Sequence, residues 1–156
     1  MAFQGRLISV EVWEGRYREI VRHPGAAAMV PWDGDDVVLV RQVREAIRSE
    51  TLEIPAGILD KEGEAPKQCA VRELREEAGY VAFDVEPLGS VHTSPGFTDE
   101  RIWLFQCRAE RTGQPEEDGI EVVVMPFADA LHGIRDGRIT DAKTVAALLL
   151  ARMQRD

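Results

Sequence analysis

The sequence predicts an α+β fold or an α/β sandwich, built from strands, one central helix and C-terminal helices, and preceded by a small N-terminal β-hairpin. Three observations carry this. Short apolar or alternating runs, bounded by Gly- and Pro-containing turns, recur through residues 7–54 and again through 85–125. One segment of helical periodicity, Pro66 to Ala78, interrupts them. Two further helical stretches close the chain, Phe127 to Arg135 and roughly Asp141 to Gln154. Strands with one central helix and C-terminal helices read as α+β or an α/β sandwich.

In chain order, Leu7–Trp13 and Tyr17–Val21 alternate about Glu14-Gly15 and predict the hairpin. Pro24-Gly25 ends that segment, so residues 1–24 are expected to stand apart from a main domain of residues 25–156. Ala26–Val30 is a small apolar strand, closed by the turn-rich stretch Pro31 to Asp36. Asp36–Arg41 is a buried strand, Glu45–Thr51 a polar loop, and Leu52-Glu53-Ile54 a strand that stops at Pro55. The central helix has proline in its first turn and Gly79 as its C-terminal cap. Strands resume over Val85–His92, Arg101–Arg108 and Ile120–Met125, and Thr140 or Asp141 caps the last helix.

Composition bounds the function. The chain has 156 residues, 44% hydrophobic and 30% charged, which suits one soluble domain. No apolar run approaches the roughly 20 residues that span a bilayer, and the N-terminus lacks the basic-then-apolar order of a secretory signal. No membrane association and a cytoplasmic location are therefore expected. Cys69 and Cys107 form neither a disulfide framework nor a CxxC pair, and His23, His92 and His132 share no metal-ligand spacing. A net charge of −9 argues against nucleic acid as the main ligand. It leaves room for a small phosphorylated substrate, bound through a cation held between carboxylates.

The carboxylates most suited to that task lie in Arg72-Glu73-Leu74-Arg75-Glu76-Glu77. At about 100° per residue, Glu73, Glu76 and Glu77 fall in one arc of roughly 100°. Ala70, Val71, Leu74 and Ala78 form the apolar face beside it, while Gln68 and Arg75 point away. Like charges at the margin of a core are costly unless a cation or a basic side chain lies among them. Taken alone, the string is also common on solvated helices with i,i+4 pairs; its surroundings decide.

With six residues between Gly57 and Glu64, seven between Glu64 and Arg72, and Gly79-Tyr80 behind the helix, the whole resembles the Nudix box of the Nudix hydrolases. It departs twice, with one extra residue between the glycine and the first glutamate and with Tyr80 in place of an aliphatic. The resemblance implies a Nudix-type α/β/α sandwich with a mixed central sheet. It also implies Mg²⁺, or Mn²⁺, held by Glu73, Glu76, Glu77 and the carbonyl of Ala56, with Glu76 and Arg72 in the catalytic set. Arg72 would pair with Glu64 and fix the loop against the helix.

Three segments outside the box resemble the ADP-ribose pyrophosphatase branch: Leu52–Gly57, Ser94–Glu100 with Pro95 sixteen positions after Gly79, and Ile139–Val145. Together with Val40–Arg44 they extend the likeness over most of residues 25–156. The branch implies hydrolysis of ADP-ribose, or a related nucleoside diphosphate sugar, to AMP and a sugar phosphate. It implies substrate contacts at Arg44, Glu53, Ser94, Pro95, Gly96, Phe97 and Glu100, Arg44 being suited to phosphate by its guanidinium. The acidic loop Gln114–Gly119 would supply the general base; alignment back from Ile120 favours Glu116, with Asp118 as a further metal ligand and Glu117 as the alternative base. The N-terminal strands would serve a homodimer and substrate contact, an aromatic among them stacking the adenine. Rival readings are another Nudix substrate, a nucleotide-sensing module without catalysis, and a structural domain with a coincidental acidic helix.

Overall fold

Alternation organises the central sheet. Ala26, Ala28, Val30 and Trp32 face one hydrophobic core, while Ala27 and Met29 face another. The same split separates Val37 and Leu39 from Val38 and Val40, and Leu104 from Phe105 and Cys107. Strands buried on both faces read as continuous apolar runs, and period-two geometry deals their side chains to two layers.

The computed structural model describes residues 2–13, 15 and 18–155. Its strands are β1 (Phe3–Gln4), β2 (Ser9–Trp13), β3 (Arg18–Arg22), β4 (Ala26–Asp33), β5 (Asp36–Arg44), β6 (Ser49–Glu53), β7 (Ala56–Ile58), β8 (Tyr80–His92), β9 (Arg101–Arg111) and β10 (Glu121–Pro126). Its helices are α1 (Pro66–Ala78), α2 (Phe127–Asp136) and α3 (Ala142–Arg155). The main sheet runs β10-β5-β4-β9-β8, with β4 and β9 parallel and the other pairs antiparallel. Helix α1 packs Cys69, Ala70, Leu74 and Ala78 on one face, and α2 and α3 pack Ala130, Ala147, Leu148 and Ala151 on the other. The expected α/β/α sandwich, within an α+β arrangement, is the architecture found.

The feature that builds the site is a wedge between β4 and β5. The two strands pair only at Trp32–Val37 and Asp33–Asp36, beside their turn. Beyond it they separate: β6 continues along β5, β7 continues along β4, and Leu52 to Pro55 are buried between them. This strap accounts for most differences from the sequence expectations. Strand β5 runs on to Arg44 because β6 pairs with it, so the last three residues of the expected loop Glu45–Thr51 are strand. Strand β7 was not expected; three residues behind a proline carry no period of their own. Strand β4 continues through Pro31 to Asp33 because β9 runs beside it in parallel register. On the sheet edge, β8 starts at Tyr80 and not Val85, and passes two register shifts around Asp84 and Pro87 that mimic a turn in sequence.

Helix α1 has the expected bounds, and Gly79 caps it in the left-handed conformation (φ 72°). At α3, Asp141 is the cap: its carboxylate accepts the Thr144 N–H at 3.0 Å. The N-terminal strands form a separate antiparallel sheet, β1-β2-β3. It meets the main domain at the loop before β9, where Val21 N–H donates to Phe97 C=O (2.8 Å). Glu14 and Tyr17 of the expected hairpin lie outside the described residues. No helix among the described residues is long and apolar enough to cross a membrane.

Candidate active site

The wheel position of the α1 glutamates translates into burial: Glu73 is 7% exposed, Glu77 5%, and Glu76 is half-buried, while Arg75 and Gln68 are exposed. The first two carboxylates lie against the strap. Ala56 N–H donates to Glu77 Oε2 at 2.9 Å. Gly57 lies so close to Glu73 that a Cβ built on it would sit 2.0 Å from the carboxyl. Burial and the neighbouring glutamate charges, Glu76 and Glu117, raise the Glu73 carboxyl against the pull of Arg72. Burial raises Glu77 to about 7; the Ala56 hydrogen bond and the Arg44 charge oppose this, while Glu73 and Glu117 add to it. Buried acids that resist ionisation in each other's company are what a bound cation would relieve.

Arg72 ties this platform to the preceding loop. Its Nε and Nη2 form a fork onto Glu64 at 2.7 and 2.9 Å, the pair expected from the sequence. Its Nη1 bonds Glu73, and Glu76 at 2.9 Å. Cys69, buried behind Arg72, has its thiol pushed up to about 12 by burial and the Glu73 charge, so it is inert.

The acidic loop is fastened to the end of α1. Thr112 and Gly113 N–H both donate to Gly79 C=O, at 2.9 and 3.0 Å, and Glu116 N–H donates to Glu76 C=O at 2.7 Å. A Cβ on Gly79 would lie 2.7 Å from the Gly113 carbonyl, so the contact requires glycine on conformation and on space. This register brings Glu117 to Glu73 and Glu76; one oxygen from each of the three lies within 4.8 Å of the others. Three carboxylates so placed fit a hard divalent cation. Glu116 is outside that group: its carboxylate lies 3.6 Å from Nε of the exposed Arg75, whose Nη2 lies 3.5 Å from Glu76. Asp118 is exposed and outside the group that Glu117 joins.

Arg44 and Glu53 meet beside the strap. Arg44 donates to Glu53 through Nε (2.8 Å) and Nη2 (2.7 Å). Glu53 is 2% exposed and also accepts from Thr51 and from Lys143 of α3. Burial alone would raise its carboxyl, but Arg44 and Lys143 hold it down at about 2. Glu53 therefore faces inward, with both oxygens occupied by protein donors, and Arg44 is the exposed member of the pair. Lys143 also lies 3.0 Å from Asp141, and Thr144 accepts the buried Ile54 N–H at 2.9 Å. Sequence reading did not find these α3 contacts. The signal available was a lysine in the first turn of a helix, where the helix dipole disfavours a cation.

Ser94–Glu100 forms a compact turn, with Phe97 and Thr98 N–H donating to Ser94 C=O. Glu100 accepts from Thr93 Oγ1 at 2.8 Å, and Phe97 is exposed. Between this turn and the small sheet lies a cleft of about 200 Å³ lined by Trp13, Ile20, Arg22, Pro95, Thr98 and Asp99.

Comparison with known proteins identifies relatives of the chain. A family model described as the NUDIX domain matches residues 21–148. A protein named methanol dehydrogenase activator from Bacillus methanolicus is 37% identical, over 97% of this chain and 89% of its own. One named ADP-ribose pyrophosphatase from Bacillus subtilis (strain 168) is 36% identical, over 94% and 85%. Among solved structures, one titled "Crystal structure of ADP compounds hydrolase" superposes with a TM-score of 0.79 at 25% identity, over 98% of this chain and 89% of that one.

Proposed function

This chain belongs to the Nudix family and is a pyrophosphohydrolase of that family, and from that premise we propose that it cuts the diphosphate bridge of ADP-ribose or a related nucleoside diphosphate sugar, giving AMP and a sugar phosphate. The observation that carries the reading is the grouping of Glu73 and Glu76 with the loop carboxylate of Glu117, beside buried Glu77 and a half-exposed Arg44. Glu73, Glu76 and Glu77, with the Ala56 carbonyl, would hold Mg²⁺ or Mn²⁺. When bound, the cation supplies Lewis acidity for the phosphates and for an attacking water.

The chain's own groups do the rest. Arg72 holds the Glu64 loop and the platform in one piece. Arg44 meets the diphosphate with its planar fork. Glu117 accepts the proton of the attacking water, and we prefer it to Glu116 because its carboxylate joins Glu73 and Glu76 while that of Glu116 lies outside the group. Asp118 is then a loop residue that can approach only if the loop shifts. The Ser94–Glu100 turn covers the sugar, with Glu100 toward its hydroxyls. Trp13 offers the adenine a stacking surface in the cleft it shares with Pro95. Residues 1–24, with Phe3 and Val12 exposed, make the homodimer contact.

The test is a panel of ADP-ribose, GDP-mannose, a diadenosine polyphosphate and ATP, each with Mg²⁺ or Mn²⁺ and with products identified. ADP-ribose turned over to AMP and ribose 5-phosphate is expected; turnover confined to ATP or to the diadenosine compound would remove the substrate assignment. Nucleotide binding without turnover of any of the four would favour a sensing module.

A further inference from the structure

Lys143 stands where local electrostatics should not put it. It is the second residue of α3, where the helix dipole opposes a cation, and its side chain is only 11% exposed. Its ammonium is spent on two carboxylates: it bonds Glu53 Oε2 and lies 3.0 Å from Asp141 Oδ2. Glu53, buried at 2% exposure, thus carries two cations, Arg44 on the open side and Lys143 on the closed side. One of them suffices for its charge.

Arg44 is the more exposed member. Its side chain is 43% exposed, and its two bonds to Glu53 use Nε and Nη2. No acceptor among the described residues bonds Nη1. Glu53, which Arg44 holds, lies in the same strap as Ala56, whose N–H bonds the platform residue Glu77.

We propose that Lys143 is a positioning residue for the substrate diphosphate: it keeps buried Glu53 compensated, so that Arg44 can turn from Glu53 to phosphate oxygens. The proposal rests on the reading above in which Arg44 meets the diphosphate. Without Lys143, release of Arg44 would strand an unpaired carboxylate in the core, a cost that would hold the arginine in place. With it, Glu53 keeps the Lys143 and Thr51 donors throughout.

The experiment measures Mg-ADP binding by calorimetry and KM for ADP-ribose in wild type, Arg44→Ala, Lys143→Met, Lys143→Arg and the Arg44→Ala/Lys143→Met pair. Each single loss should weaken ADP about tenfold and raise KM alike, and the pair should be no weaker than Arg44→Ala, since both remove one interaction. Lys143→Arg should stay within about threefold of wild type. A merely structural lysine would lower thermal stability and leave ADP affinity, KM and the additivity of the pair untouched.

Adding Glu53→Gln removes the charge that restrains Arg44. Glu53→Gln/Lys143→Met should therefore recover binding to within about threefold of wild type, and Arg44→Ala added to it should lose about tenfold. That comparison decides the matter if Lys143→Met alone does not fold. Wild-type affinity in a folded Lys143→Met, additive losses in the pair, or no rescue by Glu53→Gln would each overturn the proposal, as would a wild type that does not bind Mg-ADP. Binding with the predicted coupling, but no turnover of ADP-ribose, would leave it standing and remove only the substrate reading.

Discussion

Glu77 and Glu53 are two buried carboxylates with opposite titrations, because one lies among like charges and the other between cations. Glu77 is raised from an ordinary 4.5 to about 7, first by burial and then by Glu73 and Glu117. Its contribution to stability is present below pH 4.5 and is lost as pH rises through about 7. Glu53 is lowered to about 2 by Arg44 and Lys143 against its burial. Its contribution is present above 4.5 and is lost as pH falls through about 2. In chelator, denaturant unfolding should therefore show a fall in stability between pH 4.5 and 7, on the order of 3 kcal/mol at most, that Glu77→Gln removes. Excess Mg²⁺ should also flatten it, since the cation binds the ionised form. At the same scale, Glu117→Gln should lower kcat by at least about 100-fold and Glu116→Gln by less than about threefold, in steady-state assays at saturating metal. The reverse order would return the base to Glu116. Which of Glu116, Glu117 and Asp118 faces inward was not legible in the sequence: three acids in a row have no period, and a backbone bond from Glu116 to Glu76 sets their register.

Helix α1 was legible to the residue because its information is local. Proline at the start, glycine at the end and the apolar stripe all agree. The strap Leu52–Ile58 was only half legible, because β6 and β7 owe their pairing to two strands that diverge, and nothing nearby in sequence encodes the gap. Its fastening to α3 is longer in range still. Thr144→Val, which keeps the shape but leaves the Ile54 N–H without an acceptor, should cost about 1–3 kcal/mol in chemical denaturation. An unchanged midpoint would mean that α3 does not hold the strap. Gly57 belongs to this element as well: Gly57→Ala pushes against the Glu73 carboxyl and should weaken activating Mg²⁺ by about tenfold or more, read from the metal dependence of turnover.

For the whole molecule, element order read as α+β or an α/β sandwich, and the resemblance of the box to the Nudix hydrolases supplied the α/β/α layering, which the two sides of β4 and β5 display. The N-terminal sheet was legible as a hairpin but not as three strands, because β1 has two residues. Its outer face carries Phe3 and Val12, both exposed and apolar. Val12→Glu should convert a dimer to a monomer in sedimentation velocity and lower kcat/KM for ADP-ribose; a wild type that is monomeric at micromolar concentration would dispose of that role. Turnover of ADP-ribose, measured across Mg²⁺ concentration in wild type and in folded Glu77→Gln, tests the metal platform most directly. No activity in chelator, saturable activation by metal in the wild type, and a loss of about 1000-fold or more in the variant at every metal concentration are expected. Undiminished turnover by Glu77→Gln, or by the wild type in chelator, would contradict the metal platform.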